Sequence, residues 1–260
     1  MFSDFTYADL RRIYDRVSGG PDHCLTFSAL ADPAGAPPSY CLIRHDLDYS
    51  LESGVELARR ERDWGYRSTY FVLLACDNHN ALSGPGAKAV RDLADLGHEV
   101  GLHYDAQAMA ERGGDMDAQL ALELSILANL IGRPIRSIAM HNPSIQGADP
   151  FAGVDFAVNA YSKDIIDEGG YYSDSAGAWR DHATDAIGKG EVPERVQLLI
   201  HPFLWGDARG DRFARLGAWR EGKQAGLGEA ARQVEQIWAA HSGAREHDLR
   251  EARRPADDMA

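Results

Sequence analysis

Acidic and imidazole side chains follow apolar runs in this sequence. In CLIRHDLDYS, residues 41 to 50, an apolar run leads directly into Asp46 and Asp48. Residues two apart in a strand share a face, so we expect these carboxylates to point the same way. Because an unpaired carboxylate is costly to bury, the pair indicates a shared ion or a shared proton.

The same pattern recurs after three later apolar runs. EVGLHYD carries His103 and Asp105, SIAMHNP carries His141 and Asn142, and VQLLIHPFLW carries His201. Imidazoles and carboxylates bind divalent transition metals and transfer protons. The less specific alternative is that such groups cap helices or form turns.

Strand-like runs alternate with helix-period segments from residue 40 onward, which indicates a parallel sheet. At least seven candidate strands are present, a number that suits a closed or nearly closed barrel. The carboxyl ends of parallel barrel strands lie at one rim, so residues between 46 and 201 are expected to converge there.

One domain is predicted for residues 1–240, with the motifs between 40 and 205. An amphipathic helix is expected at GEAARQVEQIWAA, residues 228 to 240. Residues 241–260 are mostly charged and are predicted to form a flexible tail.

Composition excludes several classes of protein. The chain of 260 residues has a net charge of −13 and no basic run, which argues against a nucleic-acid partner. The first 20 residues lack a signal-peptide pattern, and no apolar run is long enough for membrane insertion, so a cytoplasmic location is expected. The three cysteines have spacings that predict neither a disulfide framework nor a CxxC metal site.

RHDLD, STYFVL, LGHEVGLHYD, MHNPS and LLIHP, in this order, resemble motifs of the polysaccharide deacetylases with a NodB-homology domain, carbohydrate esterase family four. The RHDxD and GHEIGLH motifs of the divergent WbmS-like subgroup, found in surface-polysaccharide gene clusters, fit best. The resemblance runs from Tyr40 to Trp205. It implies a distorted (β/α)7 barrel, related to the TIM barrel, and a divalent metal, with zinc preferred.

The resemblance also implies roles for individual residues. Asp46 corresponds to the aspartate that acts as general base, and Asp48 to a metal-binding carboxylate. His103 corresponds to a metal-binding histidine, and His201 to the histidine that protonates the leaving amine. The two aspartates can exchange roles, because Leu47 separates acids that are adjacent in the usual motif.

The sequence departs from the family pattern at Gln107, where a second metal-binding histidine is usual. His141 either supplies the missing imidazole or contacts the substrate. The residues expected to contact substrate are Arg44, Asp105, Asn142, Asp174 and Trp205.

The leading hypothesis is a metal-dependent hydrolase that removes N-acetyl groups from a sugar or a surface-polysaccharide precursor. A hydrolase of non-sugar amides would use the same chemistry. A carbohydrate-binding protein without activity is the alternative from another class, and Gln107 is the residue that favours it.

Overall fold

A computed structural model of the chain describes residues 4–32, 35–143, 149–150, 154–166, 170–179 and 181–251. The chain divides into two compact units, Met1–Arg212 and Phe213–Ala260. Within the described residues, no helix is both long enough and apolar enough to cross a membrane.

The first unit is built on a parallel sheet. Its strands are β1 (Cys24–Leu25), β2 (Tyr40–Asp46), β3 (Thr69–Val72), β4 (Glu99–Tyr104), β5 (Ser137–Met140), β6 (Val158–Asn159), β7 (Gly170–Ser173) and β8 (Arg195–Ile200). They are ordered β6, β5, β4, β3, β2, β8, β7, with the short β1 paired to β2. All the pairings between these strands are parallel. The strands from β2 to β8 confirm the predicted (β/α)7 architecture, in the distorted form whose two end strands are β6 and β7.

Helices connect most of the strands, as a parallel sheet requires. They are α1 (Tyr7–Ser18), α2 (Leu51–Trp64), α3 (Gly84–Asp95), α4 (Ala106–Arg112), α5 (Met116–Ile131), α6 (Lys163–Ile166) and α7 (Asp181–Lys189). The start of α2 is capped by Ser50, whose hydroxyl accepts a hydrogen bond from the backbone N–H of Ser53. Helix α2 ends at Gly65, which adopts a left-handed conformation with φ of 87°.

Side chains alternate between the helices and the barrel interior along each strand. In β4, Val100 and Leu102 pack in the cluster formed with the surrounding helices. Gly101 and His103 face the opposite way, into the interior. A Cβ atom at position 101 would lie 2.5 Å from the ring of Phe71, so glycine permits the close approach of β4 and β3. This alternation brings His103 to the inner rim.

The second unit consists of α8 (Arg212–Glu251), which begins at the last residue of the first unit. This helix contains the predicted segment 228–240 and continues through residues 241–251, which the sequence analysis placed in a flexible tail. Arginine, glutamate and leucine have high helix propensity, and residues 241–251 contain no proline. Residues 252–260 lie outside the described part. A single helix has no core of its own, so the predicted domain of 1–240 stays a prediction.

Candidate metal centre

Four strand ends deliver polar side chains to one rim of the sheet. The residues are Asp46 and Asp48 from the end of β2, His103 from β4, His141 after β5 and His201 after β8. One ligand atom from each of Asp48, His103 and His141 lies within 4.8 Å of the other two. The expected convergence of distant strand ends is therefore present in the structure.

His103 is buried, and its orientation is fixed by the neighbouring strand. Its Nδ1 lies 2.8 Å from the carbonyl oxygen of Ala139 in β5, to which it donates a hydrogen bond. In neutral imidazole, this arrangement leaves a lone pair on Nε2. Nε2 lies 3.2 Å from Oδ1 of Asp48, so the free nitrogen faces the carboxylate. Metal-binding histidines commonly have their second nitrogen fixed in this way.

His141 completes the cluster. Its Nδ1 lies 3.2 Å from Nε2 of His103 and 3.3 Å from Oδ1 of Asp48. Its other nitrogen lies 2.8 Å from the side-chain amide of Asn142. Asn142 has φ of 43°, in the left-handed region that asparagine tolerates better than most residues. Asn142, predicted to contact substrate, thus contacts an imidazole of the cluster.

The donor set fits a divalent metal. Oδ1 of Asp48 is buried and accepts no hydrogen bond from the described residues, although two imidazole nitrogens face it. Burial alone would raise the pKa of Asp48, but His103, His141 and His201 outweigh burial and hold this pKa well below its usual range. One carboxylate with two imidazoles is a ligand set typical of zinc and related ions.

Asp46 has different partners from Asp48. Arg44 donates two hydrogen bonds to its carboxylate, Nε to Oδ1 at 2.8 Å and Nη2 to Oδ2 at 2.7 Å. Burial would raise the pKa of Asp46, but the charge of Arg44, followed by that of His103, outweighs burial and lowers it. Oδ2 of Asp46 is 3.6 Å from Nε2 of His103, so the ion-paired carboxylate borders the cluster.

Arg44 is itself fully buried. Its guanidinium group lies 4.4 Å from the ring centre of Tyr161, and its Nη2 donates to the tyrosine hydroxyl at 3.0 Å. Arg44 was predicted to bind substrate; the structure pairs its guanidinium group with Asp46 and Tyr161, and a contact with substrate stays a prediction. Tyr161 was missed in the sequence, where FAVNAY has no feature that distinguishes this tyrosine from a core residue.

A second buried carboxylate holds His201. Nδ1 of His201 lies 2.7 Å from Oδ1 of Asp174, and the indole N–H of Trp205 donates to Oδ2 of Asp174 at 2.7 Å. Burial would lower the pKa of His201, but the charge of Asp174 outweighs burial and raises this pKa to about 9. Nε2 of His201 lies 3.6 Å from Oδ2 of Asp48, whereas His103 faces Oδ1 of the same carboxylate.

Asp174 and Trp205 were predicted to contact substrate. They are 0% and 3% exposed. Asp174 contacts His201 directly, and Trp205 contacts Asp174, so both residues support the imidazole. A direct contact with substrate stays a prediction.

Asp105, predicted to contact substrate, and Gln107, which replaces the usual second histidine, lie at the start of α4. Oδ1 of Asp105 accepts a hydrogen bond from the backbone N–H of Ala108, so Asp105 caps the helix. The amide of Gln107 donates to Glu111 at 3.0 Å on the exposed side of α4. Gln107 thus bonds to a residue of its own helix, whereas His141 lies beside Asp48 and His103.

Helix α2 places a buried carboxylate, Glu61, against the outer face of β2, and its role was also missed in the sequence. Oε1 of Glu61 accepts hydrogen bonds from Tyr14 at 2.6 Å and lies 2.7 Å from Nε2 of His45. Oε2 accepts from Ser68 at 2.5 Å and from Tyr70 at 2.7 Å. Burial would raise the pKa of Glu61, but His45 in particular outweighs burial and lowers it to about 2.

No family model matches the chain, and no curated protein is similar to it. Among solved structures, the chain is similar to the peptidoglycan deacetylase PdaC from Bacillus subtilis, with 14% identity and a TM-score of 0.39 over 84% of this chain and 100% of that one. The chitin deacetylase from the fungal pathogen Colletotrichum lindemuthianum has 14% identity and a TM-score of 0.36, over 62% and 73% of the two chains. A CE4 family pseudoenzyme from Bacillus anthracis has 14% identity and a TM-score of 0.39, over 62% and 54%. These values are too low to transfer an activity, so the function is argued from the residues of this chain.

Proposed function

We propose that this protein is a metal-dependent hydrolase that cleaves the amide bond of N-acylated sugars, with N-acetyl sugars as the simplest substrates. The observation that supports this most strongly is the cluster of Asp48, His103 and His141. Beside it lie the carboxylate of Asp46, which is paired with Arg44, and the imidazole of His201, which is paired with Asp174. Amide hydrolysis needs three such parts: a metal site, a base and an acid.

Asp48, His103 and His141 are the proposed metal ligands. A bound divalent ion, with zinc preferred, would polarise the amide carbonyl and lower the pKa of water. Asp48 suits the role of ligand better than Asp46, because both oxygens of Asp46 already accept hydrogen bonds from Arg44. The alternative in which the two aspartates exchange roles is therefore disfavoured.

Asp46 is the proposed general base and His201 the proposed general acid. Asp46 takes a proton from the attacking water, whose oxygen forms a bond to the carbonyl carbon. His201 gives a proton to the amide nitrogen as the carbon–nitrogen bond breaks, so the products are a carboxylate and an amine. With its pKa raised to about 9, His201 holds a proton at neutral pH. Arg44 and Asp174 are proposed as positioning residues for the base and the acid.

A sugar is the proposed amine portion of the substrate. The motifs that resemble those of carbohydrate esterase family four support this class, and a precursor of a surface polysaccharide in the cytoplasm is our specific proposal. The binding protein without activity is less well supported, because Gln107, the residue that favoured it, has His141 as a replacement in the cluster.

Acetate release tests this proposal. Protein loaded with zinc is incubated with N-acetylglucosamine, its oligomers, and nucleotide-linked and lipid-linked N-acetyl sugars, and free amine and acetate are measured. We expect equal amounts of both products, with turnover reduced about 100-fold or more in Asp46→Asn. Full metal loading without release of acetate from any of these compounds, or of the longer acid from N-butanoyl- and N-hexanoyl-glucosamine, would contradict the proposal.

A further inference from the structure

A cavity of about 340 Å³ lies beside His103 at the same rim of the barrel. Its walls come from the residues after β3, from α4 and from α5. Aliphatic side chains predominate in the lining, and they include Leu73, Leu74, Leu82, Leu122 and Ile126. Cavities of this size bind small molecules in many proteins.

The polar residues of the lining are paired with the protein. Arg112 donates to Glu123 at 2.7 Å and to Gln119 at 3.1 Å. The amide of Gln119 donates to the backbone carbonyls of Met109 and Gly113. The aliphatic surface is therefore the part of the lining best suited to a ligand, and an apolar group fits it.

The position of the cavity relative to the proposed acid indicates which part of a substrate enters it. Oδ1 of Asp48 faces His103, 3.2 Å away, whereas Oδ2 is 3.6 Å from Nε2 of His201. The amine of a bound amide must lie near His201 to receive a proton. The acyl chain leaves the carbonyl carbon in another direction, and the lining of the cavity includes His103 but not His201.

We propose that this cavity binds the acyl chain of the substrate, and that the chain is apolar and longer than acetyl. This inference rests on the proposed function and names the acyl class that the same site accepts. Hydrolysis releases a longer carboxylate in place of acetate, with the same bonds broken and formed.

Hydrolysis of N-acetyl-, N-butanoyl- and N-hexanoyl-glucosamine by the zinc-loaded full chain tests the inference. Each methylene that enters the cavity is expected to raise kcat/KM about fourfold, the equivalent of ~0.8 kcal/mol of apolar burial. A kcat/KM that stays constant or falls from acetyl to hexanoyl would overturn the inference.

Two matched variants of α4 locate the effect. Ala108 lines the cavity, whereas Ala110 is exposed and is not part of the lining. We expect Ala108→Phe to lower the hexanoyl-to-acetyl ratio of kcat/KM at least tenfold, and Ala110→Phe to preserve it. Equal effects of the two variants would contradict the assignment. If Ala108→Phe fails to fold, Leu122→Trp fills the cavity from α5, at a residue that is 61% exposed and tolerant of change.

Calorimetric binding of the same three compounds separates this inference from the proposed function. Absence of hydrolysis of all three would count against the proposed function. In that case, the cavity assignment would be supported if the wild type binds the hexanoyl compound more tightly than the acetyl compound and Ala108→Phe abolishes this difference. Equal binding of the three compounds would overturn it.

Discussion

Two aspartates in the same five-residue stretch have separate electrostatic environments. Asp46 is paired with a buried guanidinium, and Asp48 faces two imidazoles of the cluster and a third beyond it. A carboxylate held by arginine keeps its charge and position, whereas one surrounded by imidazoles supplies a metal ligand. The single residue between the two acids thus allows each to have its own partners.

His141 is predicted to be the third metal ligand, in place of Gln107. We expect His141→Ala to weaken zinc affinity by at least about 100-fold, because a direct ligand contributes more than the outer partners of a site. Competition with a chromophoric chelator measures this affinity. Gln107→Ala is the matched control and should bind zinc as the wild type does. An equal loss in the two variants would show that Gln107 is a ligand.

His201 is predicted to act on the amine and not on the metal. We expect His201→Ala to keep its zinc while kcat falls by a factor of about 100 to 10,000. Asp174→Asn should also keep its zinc and lower kcat more than it changes KM, because we propose that Asp174 acts through the imidazole of His201. Loss of zinc from His201→Ala would mean that this histidine is a ligand.

Strand β2 contributes to the candidate site on one face and to a buried hydrogen-bonded cluster around Glu61 on the other. Asp46 faces the barrel interior, and His45 faces Glu61 of α2. Glu61 is fully buried, and its oxygens interact with four side chains from α1 and the strand region. These contacts hold in place the strand that ends at Asp46, two residues before Asp48.

Glu61→Gln should change how stability depends on pH. The lowered pKa of Glu61 stabilises the fold fully above about 4.5, its value when unfolded, and this contribution is lost as the pH falls toward about 2. The shift corresponds to on the order of 3 kcal/mol. Urea unfolding at pH 7 should give a lower free energy of unfolding for Glu61→Gln than for the wild type. The difference between the two free energies should narrow between about pH 4.5 and 2.

The exposed Glu56 of the same helix provides the control for this measurement, because its side chain is 55% exposed. Glu56→Gln should follow the wild-type stability at each pH. If the difference in the free energy of unfolding between Glu61→Gln and the wild type stays constant across the acid range, the buried charge of Glu61 does not stabilise the fold.

The sequence predicted the parts of this fold that depend on local pattern. Alternation of strand and helix segments indicated the parallel sheet, and the shared rim of its strands indicated that Asp48, His103 and His201 would meet. Contacts between distant segments have no such signal. Tyr161 is 117 residues from Arg44 along the chain, and its role depends on how β6 and the following turn meet β2. The sequence does not distinguish Glu61 from an exposed helix residue, because only tertiary packing buries it.

The first of the two units contains the sheet, the core and the candidate metal centre. The unit Met1–Arg212 includes every residue to which a role in the site has been assigned. Between residues 213 and 238, helix α8 exposes large apolar side chains, among them Phe213, Leu227 and Trp238, which are 69%, 73% and 67% exposed. The site therefore depends on the first unit.

A chain that ends at Arg212 should retain the fold and the metal. We expect its Tm to lie within about 4 °C of that of the full chain, the equivalent of ~1 kcal/mol for a domain of this size. Zinc content per chain should be unchanged. Cooperative unfolding that disappears on truncation would show that α8 is required for the core.

The metal content of the purified protein shows whether Asp48, His103 and His141 bind a metal ion. Elemental analysis of the wild type after zinc reconstitution and dialysis should give about one ion per chain, and His103→Ala treated identically should give almost none. Circular dichroism should show that both proteins are folded. A folded wild type without bound transition metal, or a His103→Ala variant with the full amount, would contradict the proposed metal centre.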